Sequence, residues 1–182
     1  MNAIDATVEA LAKLKMHEQA IGRLYKTYAE RFPQQAEFWS KLSRDEYLHA
    51  KWIDTLEAET RDDPASLVTK RFPVAAIEHS LAFIEKLIAK ADEPDFAPIN
   101  AISAARNLEQ ALLENKYFEV FETDAAKVKR ILTRLRQETH SHCALVQQVW
   151  QATQRNGEPK VHSGPAITHN PGTEYLSHTR HR

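Results

Sequence analysis

Over its first 156 residues the chain contains a single glycine, Gly22; Gly157, Gly164 and Gly172 all come later. Glycine is the residue that turns, bulges and left-handed caps call on most, and it weakens a helix interior. A stretch this poor in it reads as a nearly all-helical body. Prolines and acidic turn signals divide that body. Helix is disfavoured in the residue before a proline, so the first helix covers residues 4–31 and stops near Phe32-Pro33. A second covers 35–59 and ends before Asp62-Asp63-Pro64, and a shorter one over 74–90 is closed by Asp92-Glu93-Pro94-Asp95. Two more are predicted over 98–121 and 124–151, broken at Glu122-Thr123, with Asp124 as the N-cap of the last. No strand-like alternation competes with helix in the body. Two tight connections then make two antiparallel hairpins, and the roughly 38 residues between them are too many for an ordinary bundle loop. The predicted fold is all-α: a four-helix bundle whose long crossover carries the short helix. Domain organisation follows as a bundle over 1–153 and a flexible tail over 154–182, the tail holding His162, His169, His178 and His181.

Composition narrows the function classes. With 24 Lys+Arg against 25 Asp+Glu the formal net charge is -1, and the basic surplus that releases counterions from nucleic-acid phosphates is missing. Apolar runs are short, as in Val74-Ala75-Ala76-Ile77, far from the roughly 18 residues needed to cross a bilayer. Met1 to Asp5 shows no secretory signal, and a single Cys143 leaves no internal disulfide framework or CxxC knuckle. The expected setting is cytoplasmic, with neither nucleic acid nor membrane as partner. No Gly-rich phosphate loop or nucleophile elbow is present, the body having one glycine.

The apolar stripes carry the chemistry. In the first helix the inward line is Leu11, Leu14, Glu18, Ile21, Tyr25, Tyr28, Phe32, alternating steps of three and four, and Glu18 fills a core slot. The second gives Leu42, Glu46, His49, Ile53, Leu56, with two ionisable slots in succession. The third long helix gives Ile102, Ala105, Glu109, Leu112. The last gives Leu132, Leu135, Thr139, His142, Val146, Val149, with Glu138 one residue off the line. At 1.5 Å rise per residue these interruptions lie on the order of 20 Å from the turn of each hairpin, in one layer. Several carboxylates buried together must protonate or be neutralised, and a divalent metal does the latter. Mixed oxygen and nitrogen donors suit iron or manganese without excluding zinc. Residues i and i+3 share a helix face, so Glu46 and His49 can reach one ion.

At this point the chain resembles the ferritin-like di-iron carboxylate superfamily, nearest to its rubrerythrin-type domain, over roughly residues 4–152. That family places one Glu on each of two helices and Glu-x-x-His on each of the other two. Here Asp45-Glu46-Tyr47-Leu48-His49 matches one such signature, Glu18 and Glu109 match the single-Glu helices, and Glu18-Gln19-Ala20 recurs as Glu109-Gln110-Ala111. The departure is in the last helix, where Gln137-Glu138-Thr139-His140-Ser141-His142 puts Thr139 in the glutamate's place and His140 on the surface. The resemblance implies two irons, with Glu46 and His49 on one, His142 and a displaced Glu138 on the other, and carboxylates such as Glu18 and Glu109 bridging. It further implies peroxide or oxygen as substrate, a homodimer, and an external electron donor, since no CxxC-bound iron module is present. Two other readings compete. The chain is a metal carrier or sensor without turnover, which Thr139 favours, or a helical interaction protein that has lost its metal and uses Trp39, Trp52 and Trp150.

Overall fold

A computed structural model describes residues 3–69, 72 and 74–157. The tail histidines, and the tail from residue 158 onward, lie outside the described residues. Five α-helices dominate: α1 (Ala3–Arg31), α2 (Ala36–Asp62), α3 (Val74–Lys90), α4 (Pro98–Glu114) and α5 (Ala126–Gly157). The described residues are thus mostly helical, as expected, and α3 has the predicted bounds. None of these helices is long and apolar enough to cross a membrane.

The first break is made as expected. Phe32, ahead of Pro33, sits at φ -121° and ψ 78°, outside the helical region, and a single 3-10 turn (Pro33–Gln35) leads into α2. α2 then runs three residues beyond the predicted end. It stops at Asp63, which is extended and whose carboxylate accepts from the Ala65 amide ahead of the next turn.

The second break differs from the sequence reading. α4 ends at Glu114, seven residues short of the predicted Phe121. Asn115 donates from its side chain to the Ala111 carbonyl, and Lys116 adopts φ 51°, a left-handed conformation that halts the helix without a glycine. Turns occupy 115–120. Asp124 is not the cap of α5 either: the Thr123 hydroxyl accepts from the Ala125 amide, and the Lys129 amide bonds the Ala125 carbonyl. The connection predicted to be tight is thus eleven residues long (115–125) and holds a strand, contrary to the strand-free expectation. β1 (Val68–Thr69) pairs antiparallel with β2 (Phe121–Glu122), Val68 opposite Glu122 and Thr69 opposite Phe121. This clasp joins the crossover to the α4–α5 connection. It is tied further by Thr123 donating to the Ser66 carbonyl at 2.5 Å and by the Thr69 amide donating to Thr7 of α1 at 3.2 Å.

Packing follows the stripes. α1 lies along α2 and also carries α3, α4 lies along α5, and α2 meets α5. Leu11, Leu14, Ile21, Tyr25 and Tyr28 of α1, Leu42, Ile53 and Leu56 of α2, Ile102 and Ala105 of α4 and Leu135 of α5 are fully buried. Trp39 is also fully buried; Trp52 and Trp150 are half-buried, each covered by an arginine, Arg134 at 4.4 Å and Arg106 at 4.3 Å.

Gly22 lies in the contact between α1 and α2. Its carbonyl accepts from Ser43 Oγ at 2.8 Å, and a Cβ added to it would meet the Tyr47 ring at 3.2–3.3 Å. Tyr47 is 37% exposed, so its ring has room to move outward. Gly22→Ala is expected to raise stability by about 0.5 kcal/mol through helix propensity. Gly22→Leu, whose branched side chain needs the space of the ring, is expected to lower it; paired thermal melts measure both.

Candidate metal centre

Five of the six ionisable candidates come together in the interior. Glu18 from α1, Glu46 and His49 from α2, Glu109 from α4 and His142 from α5 are each no more than 2% exposed. Glu46 stands between the two imidazoles, with Oε2 3.0 Å from His49 Nδ1 and Oε1 2.8 Å from His142 Nδ1. Glu18 Oε2 also reaches His49 Nδ1, at 3.3 Å, and Glu109 Oε1 lies 3.9 Å from His142 Nδ1. The two rings stack with centroids 5.2 Å apart. One donor atom from each of Glu46, His49 and His142 lies within 4.8 Å of the others, as ligands of a single metal centre must. The resemblance had implied Glu18 and Glu109 as bridges, but the carboxylate that faces both imidazoles is Glu46.

The sixth candidate is placed elsewhere. Glu138 is 36% exposed, with its nearest ionic neighbour Arg134 at 3.9 Å. One residue along an α-helix is a rotation of about 100°, so Glu138 leaves the inward line while Thr139 stays on it. Thr139 is buried, and its hydroxyl donates back to the Leu135 carbonyl at 2.9 Å, one turn earlier. His140 is exposed and Cys143 is half-buried and free.

Side chains behind the cluster were not assigned roles by the sequence reading. Asp45, noticed there only as the acidic residue of the signature, has Oδ2 3.3 Å from His142 Nε2, while Lys41 Nζ holds the same oxygen at 2.6 Å. Tyr25, on the inward line of the first helix, donates to Glu109 Oε1 at 2.7 Å. Its position seven residues after Glu18 on the same stripe was the available signal. His17, at 1% exposure, bonds Ser80 of α3 through Nε2 at 2.7 Å. Nothing in the sequence announced it, because its burial depends on where α3 crosses α1.

Protons do what cations would otherwise do here. Burial, reinforced by the negative charge of Glu46, lifts the carboxyls of Glu18 and Glu109 to about 8. Burial pushes Glu46 the same way, but hydrogen bonds from His142 and His49 outweigh it and hold this carboxyl well below the usual range. Burial also opposes charge on the imidazoles, and the bonds to Glu18 and Glu46 overcome it, raising His49 to about 11; Glu46 likewise raises His142 to about 9. His17, with no such partner, is lowered by burial to about 4. In the metal-free centre burial and pairing therefore favour protons on Glu18, Glu109 and the two imidazoles, and an ionised Glu46 between them. Glu18 Oε1 and Glu109 Oε2 are still buried with no hydrogen-bond partner. Oxygens in that condition are costly, and a cation satisfies them once the protons leave. The donor set, three carboxylates and two imidazoles, fits a divalent first-row metal.

The sign of the pH dependence follows. Glu18, Glu109, His49 and His142 all have folded values above their ordinary ones, so each favours the fold below the ordinary value and loses that contribution as pH rises through the folded one. Between about pH 7 and 8.5 the chelator-treated chain is expected to melt at progressively lower temperature. The double variant Glu18→Gln with Glu109→Gln, which keeps the volume and removes two of these protons, is expected to flatten the slope. Melting curves at half-unit pH steps measure it.

Comparison of the chain with models of known protein families, with curated proteins and with solved structures gave no match, so the reading of this centre rests on its own geometry.

Proposed function

We propose that this chain is a ferritin-like, four-helix metal protein that binds two iron ions and acts as a non-haem oxidoreductase on peroxide or oxygen. The observation that supports it most is Glu46, whose two oxygens face two different imidazoles, with one further buried carboxylate beside each ring. Glu18, His49 and one Glu46 oxygen would hold one ion; Glu109, His142 and the other oxygen would hold the second. Two ferrous ions, when bound, would supply one electron each to the oxidant. The chain's own part is to hold, orient and exclude water. Tyr25 fixes the rotation of Glu109, Asp45 fixes the ring of His142, and the surrounding Leu14, Ile21, Leu42 and Ile53 keep the layer dry. Return of the protein to its reduced state would need an external donor.

Thr139 favours a second reading, binding without turnover. Its hydroxyl is already spent on the Leu135 carbonyl, so the centre has one carboxylate fewer than the family pattern and more positions left to water. A metal carrier or sensor tolerates that; a redox pair needs its bridging charge.

Anaerobic reconstitution with Fe(II), followed by mass-spectrometric metal content on a chain truncated after Arg155, is expected to give two irons. Glu46→Gln, which serves both ions, is expected to lose both. Chelation of the loaded protein is expected to lower the melting temperature by about 10–20 °C, the effect of two ions each at some hundredfold over its dissociation constant. An unchanged melting temperature would sink the metal reading. Thr139→Glu is expected to raise peroxide turnover if the missing carboxylate limits it; turnover absent in both forms would favour the carrier.

A further inference from the structure

Resting on the two-ion reading, we infer that the halves of the centre are unequal: the Glu109–His142 half binds metal more tightly, with Asp45 and Tyr25 as the positioning residues responsible. The sequence points the other way, because Thr139 lies on the same helix as His142 and makes that half look impaired.

In the structure the loss at 139 falls on neither half in particular. The Thr139 hydroxyl is turned back to Leu135, and each half keeps one carboxylate, one imidazole and one Glu46 oxygen. What separates the halves is the support behind the ligands. His142 is held at both ring nitrogens, Nδ1 by Glu46 inside and Nε2 by Asp45 at 3.3 Å, and Asp45 is anchored in turn by Lys41 at 2.6 Å. A carboxylate on the outer nitrogen fixes the tautomer that leaves Nδ1 for the metal and makes the ring more basic. Glu109 is oriented through Oε1 by Tyr25, which leaves Oε2 buried and unpaired.

The other half has no equivalent. His49 Nδ1 is shared between Glu18 and Glu46, its ring lies beside Trp52 with centroids 5.4 Å apart, and among the described residues no side chain is hydrogen-bonded to its Nε2. Among the described residues Glu18 interacts with that same imidazole and with the Glu46 carboxyl, both members of its own half, and with no supporting side chain behind it. Metal binding must therefore break the contact that orients both ligands. One half is oriented before the ion arrives and the other has to rearrange, and pre-oriented sites bind more tightly.

The test is an anaerobic Co(II) titration of the full chain, followed by visible d–d absorption. Two events of different affinity are expected. Asp45→Asn should weaken the tighter event about 10–100-fold and leave the weaker one in place. Asp45→Glu, which keeps the carboxylate, should recover most of the loss, and Tyr25→Phe should weaken the same event. Glu109→Gln should remove the tighter event and Glu18→Gln the weaker. A single event kept in Glu18→Gln and lost in Glu109→Gln also upholds the ordering; the reverse pattern overturns it. Two events equally sensitive to Asp45→Asn, or insensitive to it, overturn the role of Asp45 while leaving the two-ion reading intact. Absence of any d–d absorption overturns that reading and this inference together. Helical circular dichroism of each metal-free variant separates lost binding from lost folding, and the Glu18 and Glu109 pair decides the ordering should Asp45→Asn not fold.

Discussion

The interior of this protein is organised around one carboxylate. Glu46, on α2, touches His49 on its own helix and His142 on α5, and its charge adds to burial in favouring protons on Glu18 and Glu109. Removing an ionised group from water is costly, and it is tolerated only where partners converge on it with good geometry. The positions of α1, α4 and α5 are constrained by that requirement, since each must bring a titratable side chain to the same layer. Apolar residues above and below keep the dielectric low, which strengthens the attraction and raises the cost of any unpaired oxygen.

The same layer links stability to chemistry. Glu18 Oε1 and Glu109 Oε2 remain buried without donors, and the protons that neutralise the carboxyls are the ones a cation would displace. Buried oxygens without a donor are costly. The layer is intelligible as the unliganded face of a binding site, held ready by Tyr25, Asp45 and Lys41 from outside the ligand set. The two ends of the helical body are secured independently, one by the short Phe32–Pro33 turn, the other by the two-residue clasp of β1 and β2.

Much of this was legible in the chain. A step of three or four residues along each stripe follows from helix geometry alone, so Glu18, Glu46, His49, Glu109 and His142 could be recognised as polar residues in inward slots. Glu138 shows the limit of that reasoning. It was admitted because chemistry wanted a carboxylate there, although periodicity pointed to Thr139, and the helix obeyed periodicity. The end of α4 was missed for a different reason: Asn115 and Lys116 stop a helix by a side-chain bond and a left-handed backbone, in a stretch without glycine or proline to signal it. The clasp was invisible because two-residue strands have no alternation to detect.

The sequence by itself determined the helices, the faces they bury and the residues that interrupt those faces, because these depend on local geometry and on the free energy of exposing apolar groups. It did not determine which oxygen faces which nitrogen. That Glu46 lies between the imidazoles, that Asp45 supports a histidine 97 residues away, and that His17 is sealed beneath α3 were settled only when the helices packed. Helix spacing selects a face to within a fraction of a turn, whereas hydrogen bonds and metal ligation discriminate at tenths of an ångström. That finer choice belongs to the tertiary structure.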